Sequence, residues 1–254
     1  MLTEDQLEQY LAAFSAKKDF TLKLLSMEYS LTDKQISKGA DCLDWAELSK
    51  NTSIDWSVEL IRQHKDRWVW PRLSANNSIR WTAEMLREFA DKLTWGKGKG
   101  VNTLDDCRGI SYNTNVAWTA ELIAEFKDYL DFPAISENEG IPWTADLIAE
   151  FKDDLDFPAI SGIEGIPWTA DLIRTYSVSD SFFWYCLSLN QGVPWTYELI
   201  EEFRDKLYFK GESSHDLWEK TFGNNPAVRW DIPTLELVHN QVDWSHSHPI
   251  GMAC

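Results

Sequence analysis

Seven tryptophans stand at intervals that fix what this chain can build. Trp56, Trp81, Trp118, Trp143, Trp168, Trp195 and Trp230 are separated by 25, 37, 25, 25, 27 and 35 residues, one 25-residue unit carrying insertions of 12, 2 and 10. All but the last are followed by serine or threonine. Counting 25 residues back from Trp56 reaches Leu31, where Thr32-Asp33-Lys34-Gln35-Ile36 is a worn copy, and Leu2-Thr3-Glu4-Asp5-Gln6-Leu7 begins another. Residues 118–142 and 143–167 differ at only four positions, the mark of a recent duplication. Eight units are clear and a ninth is expected. A unit this short cannot bury its own apolar face, so neighbours must stack to make a continuous core.

The unit reads as two short helices. Thr119 is a good N-cap, Glu121 sits where a carboxylate meets the positive helix end, and Trp118 and Ile123 have the spacing of a hydrophobic staple. Leu122, Ile123, Phe126 and Leu130 form an apolar stripe at helical period, on a helix expected to end near Asp128 or Tyr129. Asp131-Phe132-Pro133-Ala134-Ile135-Ser136 then offers a cap, a first-turn proline and apolar residues three apart, the pattern of a second helix. Asn138 and Gly140 turn the chain toward the next tryptophan. A second aromatic follows most anchors by 14 residues, at Trp45, Trp70, Trp95, Phe132, Phe157, Phe209 and Trp244. The expected fold is all-α, an α-solenoid of about eight or nine helix pairs. Residues 1–30 would be a cap or degenerate repeat, 31–229 the array with insertions near 96–107 and 211–220, and 230–254 a capping repeat and tail.

The pattern, carried for example by Trp56-Ser57-Val58-Glu59-Leu60-Ile61 with Trp70, Leu73, Ser74 and Asn76, resembles tandem tryptophan repeats in uncharacterised proteins of large DNA viruses, bacteria and phages. The resemblance spans roughly residues 31–230. It implies a helical repeat array, no catalytic residues and no defined activity. The unit at Trp168 departs by two extra residues, and Ile163 stands in place of the turn asparagine.

Composition narrows the function classes. A net charge of −17 argues against bare nucleic acid and anionic membranes as partners. The amino terminus lacks the basic-then-apolar pattern of a signal peptide, and no apolar run approaches a membrane span. Cys42, Cys107, Cys186 and Cys254 are too scattered for a zinc ribbon or a disulfide framework, so reduced thiols and a cytoplasmic location are expected.

Recurrent polar positions read first as architecture. An aspartate ten residues after the anchor (Asp41, Asp66, Asp91, Asp128, Asp153, Asp205) is expected to cap the second helix or a neighbour's backbone. The serines at 49, 74, 111, 136, 161 and 188, with their nearby asparagines, take the same reading. The acidic residue three after the anchor, such as Glu121 or Asp146, is a helix-end charge, too far from the aspartate column for a catalytic pair.

Function is expected where units differ. Residues 118–167 hold twelve Asp/Glu against two Lys, whereas residues 62–108 hold ten Lys/Arg against six Asp/Glu. Glu125, Asp131, Glu137, Glu139, Glu150, Asp154, Asp156 and Glu164 are therefore the candidate partner-binding residues, facing another protein with a basic surface. The Gly-Lys run at residues 96–100 lacks the strand and the G-K-[ST] of a phosphate loop. Both insertions are candidate binding loops. His239, His246 and His248 make the only metal-like cluster, on a tail that offers poor preorganisation. No catalytic motif is present, and neither a cofactor nor a metal is expected. The sequence thus points to a non-catalytic protein-interaction scaffold, in a narrower form an immunity or counter-defence protein that blocks a basic partner. The alternative is a metal-dependent hydrolase using the His-rich tail.

Overall fold

The computed structural model describes residues 18–96, 109–209 and 222–239, with isolated positions 3, 6 and 9. The described residues are helical and contain no strand; the one β-like feature is an isolated parallel bridge between Trp81 and Val116. The chain divides into two compact units, Met1–Ile141 and Pro142–Cys254.

In the first unit each repeat contributes a first helix, Asp33–Lys38, Val58–Gln63, Ala83–Glu88 or Ala120–Glu125, and a shorter second element. The start is set by a hydroxyl. Thr32, Ser57, Thr82 and Thr119 have extended backbone and accept from the N–H three residues on, at 3.1–3.3 Å. Gln35 returns the favour to Thr32 N–H at 2.9 Å, completing a capping box. Thr3 and Gln6 exchange the same two bonds at 2.9 and 3.2 Å.

The first helix is shorter than its stripe suggests. It ends at Glu125, not at Asp128 or Tyr129, and Phe126 begins a tight turn in which Tyr129 N–H donates back to the Phe126 carbonyl at 2.9 Å. Leu122, Ile123 and Phe126 are buried, while Leu130 is only half-buried. The second helices are Trp45–Leu48, Trp70–Ser74 and Phe132–Ser136.

A buried polar ladder joins successive repeats. The Ser49 and Ser111 hydroxyls accept from the N-cap backbone of the next second helix, at Val69 and Asp131, and Ser74 accepts from the corresponding Thr94 N–H ahead of the first insertion, at 2.9–3.0 Å. The Asn76 amide donates to the Ser49 and Asn51 carbonyls, Asn113 to Ser74 and Asn76, and Asn138 to Ser111 and Asn113. Each asparagine also accepts, through Oδ1, from the N–H two residues on, so one side chain makes its own turn and ties it to the turn before. These serines and asparagines are at most 5% exposed, so leaving them unpaired would be costly.

The second unit repeats the scheme with Ala145–Phe151, Ala170–Tyr176 and Tyr197–Phe203, capped by Thr144, Thr169 and Thr196. Asn190 donates to the Ser161 and Ile163 carbonyls, and Asn225 to Ser188 and Asn190. A Cβ on Gly192 would lie 2.0 Å from the Glu164 carbonyl oxygen, so successive turns approach too closely for any other residue. The anchors Trp81, Trp118, Trp143, Trp168 and Trp195 are all at most 5% exposed, each in the core of its own unit.

The backbone bonds of the repeat are rejoined after each insertion. Ile110 N–H donates to the Thr94 carbonyl at 2.8 Å, and Phe222 N–H to Tyr208 at 2.8 Å. They take the places that Ile135 and Asp131 hold, at 2.9 Å, where nothing is inserted. The second element there shrinks to a single 3-10 turn, Ile110–Tyr112 or Phe222–Asn224. Gly109 closes the first loop at φ 76°, with the Thr94 carbonyl oxygen 2.5 Å from where a Cβ would sit. Residues 97–108 and 210–221, on which the insertions expected near 96–107 and 211–220 fall, lie outside the described set.

Candidate functional site

The exposed side of the first helices carries a second ladder, made of charge. The residue six after one anchor meets the residue seven after the next. Gln63 donates to Ser37 at 2.9 Å, Arg62 to both Glu88 oxygens at 2.6 and 2.7 Å, and Arg87 to both Glu125 oxygens at 2.7 and 2.6 Å. Arg174 and Glu202 form the equivalent fork in the second unit. These charge-assisted bonds hold the Glu88, Glu125 and Glu202 carboxyls below the usual carboxylate range. In the two most alike repeats the arginine position is alanine, Ala124 and Ala149.

The aspartate column behaves differently from its expected capping role. Asp41 pairs with Arg67 at 2.8 Å and Asp66 with Lys92 at 3.4 Å, with their carboxylates 88% and 77% exposed. Asp128 and Asp153 are exposed as well. The N-cap of the second helix lies three residues further on, at Asp44, Asp131 and Asp156. The reason is the early end of the first helix: the column falls in the turn, pointing into water beside the next repeat.

The eight candidate acidic residues therefore divide by task. Glu125 is forked to Arg87, Asp131 holds an N-cap position and is half-buried, and Asp156 accepts from Ala159 N–H at 3.4 Å. Glu137 and Glu139 in the first unit, and Glu150 and Glu164 in the second, are exposed; Asp154 is half-exposed. Glu121 meets its expected role: its own N–H and the Thr119 hydroxyl hold its carboxyl below the usual range.

Two clusters were not anticipated. Glu47 is buried at 5% exposure among Lys23, Lys50 and Arg72, at 3.6, 2.8 and 3.7 Å. It crosslinks the helix Lys18–Glu28 to the two repeats that follow. The second cluster is an open cleft of about 680 Å³ in the second unit, between residues 177–185 and 206–208. It exists because the two-residue insertion after Tyr176 starts the second helix early. Ser181–Leu189 is nine residues long, and its buried Trp184, not Phe182, takes the place of the second aromatic. The conserved frame still shows this, since Ser188 stands four residues after Trp184 as Ser136 does after Phe132. That offset was the signal available in the sequence.

Among the described residues no group of three His, Cys, Asp or Glu is placed to hold a metal ion, and no helix is long and apolar enough to cross a membrane. His239 closes the helix Ile232–Val238, with Nδ1 2.7 Å from the Glu236 carbonyl oxygen; His246 and His248 lie outside the described residues. Comparison with protein-family models, curated proteins and solved structures finds no match for this chain.

Proposed function

We propose that the repeats stack as an α-solenoid and that the protein is a non-catalytic scaffold holding a basic protein partner on the acidic repeats 118–167. The interruption of the arginine–glutamate ladder carries this reading. Where the column supplies arginine, the next repeat's glutamate is neutralised on the protein itself, as Glu88, Glu125 and Glu202 are. Ala124 and Ala149 supply no such cation in the segment whose net charge is −10; of the ladder positions that follow them in sequence, Glu150 is acidic and Thr175 is not. Self-repulsion among exposed carboxylates opposes folding, and a cationic surface laid against them relieves it. Such complementarity chooses partners and accelerates encounter, while neighbouring apolar side chains supply lasting contact. In its narrower form the protein neutralises that partner, as an immunity or counter-defence protein does.

The test is a capture experiment from native cells with wild type and a variant in which Glu137, Glu139, Glu150 and Glu164 are changed to Lys. The reading expects a basic protein retained by wild type, lost from the variant, and associating more slowly as salt rises beyond about 0.15 M, where screening reaches about 8 Å. A partner that binds both proteins alike overturns it. Small-angle scattering tests the stacking: an elongated particle is expected, and a compact one excludes a solenoid.

A further inference from the structure

We propose that the cleft in the second unit is a docking site for an extended, proline-bearing peptide segment that carries an acidic side chain. Its lining residues lie outside the acidic repeats 118–167 and include no carboxylate.

Its walls are made by the departure from the repeat. Asp180 caps the lengthened helix by accepting from Phe182 N–H at 2.7 Å, and the added turn carries Phe182 out to 55% exposure. Phe182 stacks near-parallel on Tyr185, centroids 6.2 Å apart at 21°, and Tyr185 meets Tyr208 edge-on at 5.1 Å. Val178, 37% exposed, lines the same cleft. Two of the large apolar residues that the described surface leaves open thus belong to one four-residue neighbourhood, where the repeat pattern alone would place none. An exposed aromatic ring beside a concave, partly apolar cleft is a place where a ligand can pack.

Charge selects the occupant. The residues lining the cleft include one cation, Lys206, and no carboxylate, in a chain of net charge −17. The Lys206 ammonium lies 4.9 Å from the ring centre of Trp184, held over an aromatic face and displayed at the cleft. The acids flanking the lining residues in sequence have other tasks: Asp180 caps the helix, and Asp205 pairs with Arg204 at 3.7 Å. The complement is an anion on an otherwise apolar ligand. Flat tyrosine and phenylalanine faces receive proline rings, and the hydroxyls of Ser177, Ser179 and Ser181 can donate to the carbonyls of an extended backbone. An extended proline segment is already stiff, so it loses little freedom on docking.

Fluorescence anisotropy with three labelled decapeptides tests the proposal: alternating Pro and Ala around two central Glu, the same peptide with Lys for Glu, and the Glu peptide with Gly for Pro. The Glu–Pro probe is expected to bind at least tenfold more tightly than either other probe. Phe182→Ser, at an exposed position, should weaken it at least tenfold without changing the melting temperature, and Lys206→Glu should reverse the preference to the Lys probe. Equal binding of all probes, no binding of any at millimolar concentration, or indifference to both substitutions overturns the proposal. A dimer in sedimentation that Phe182→Ser dissociates overturns it in favour of a second copy of this chain. The four-Lys variant of the acidic repeats should bind the Glu–Pro probe as wild type does, so the two proposals fail independently.

Discussion

Arg87 and Glu125 stand 38 residues apart and meet in a two-pronged ion pair at 2.6 and 2.7 Å. Twelve of those residues belong to the first insertion, and the pair still falls in register with Arg62 and Glu88, 26 residues apart. Arg87→Gln should lower the melting temperature slightly at neutral pH, and the difference should vanish in 1 M salt, where screening reaches about 3 Å. It should also vanish in acid. The Glu125 carboxyl is held below its ordinary value by Arg87, so its contribution is present above the ordinary carboxylate range and is lost as pH falls through the lowered value. Melting curves of both proteins at pH 7 and pH 2 check both statements.

The asparagine ladder should be worth more per side chain than the charged one. Asn113 is 1% exposed, and its amide satisfies the Ser74 and Asn76 carbonyls while Oδ1 accepts from Asn115 N–H. Asn113→Ala strands these groups, at a cost of about 1–3 kcal/mol. Denaturant unfolding measures it; a loss within the ~0.5 kcal/mol of an ordinary surface substitution would show that water replaces the ladder.

Caps separate the two hydroxyl and carboxylate columns. Thr119→Ala removes the bond to Leu122 N–H and should destabilise by about 1 kcal/mol. Asp128→Ala, in the exposed turn, should stay within about 0.5 kcal/mol. Equal losses would return the aspartate column to a capping role.

His64 gives the first unit a sensitivity to mild acid. Burial lowers the imidazole's pKa below its ordinary value, and Arg67 adds to that, against a smaller opposing pull from Asp33. The ring faces the Ser37 hydroxyl at 3.2 Å and lies 5.0 Å from the Trp45 ring. The unfolded chain therefore takes up the proton first, and stability falls as pH drops from the ordinary imidazole value to the lowered one, then levels. Between pH 7.5 and 5.5 the melting temperature of His64→Gln should decline less than that of wild type.

What could be read directly was whatever one repeat decides within itself. Thr119 caps, Trp118 is buried and Phe132 follows its N-cap, because these depend on neighbours a few residues away. The targets of Arg87, Asn113 and Ser74 depend on how one repeat lies against the next, and a sequence with a single period does not show that offset. Asp128 was misassigned for a related reason: the helix ends at Glu125, and a periodic apolar stripe does not mark where backbone bonding stops. The acidic surface was visible as composition, but the tasks of Glu125, Asp131 and Asp156 within the fold were not. The cleft was hidden by its two extra residues, which moved Trp184 off the expected count.

Asn76, Asn113 and Asn190 each find acceptors in the preceding turn, and each offers its own carbonyl to the asparagine of the following one. A copied stretch of 25 residues that keeps its asparagine thus arrives with these ladder bonds matched at both joins, which makes tandem duplication a step the chain survives. The near-identical residues 118–142 and 143–167 record a duplication, in which the second copy now carries Ile163 at the ladder position. A deletion of one or two residues within the second helix has no such protection, because it would carry the next asparagine out of reach. Growth by whole units is tolerated and drift of phase is not, so inheritance in this chain is quantised, and novelty enters as residues inserted between positions that remain bonded to each other.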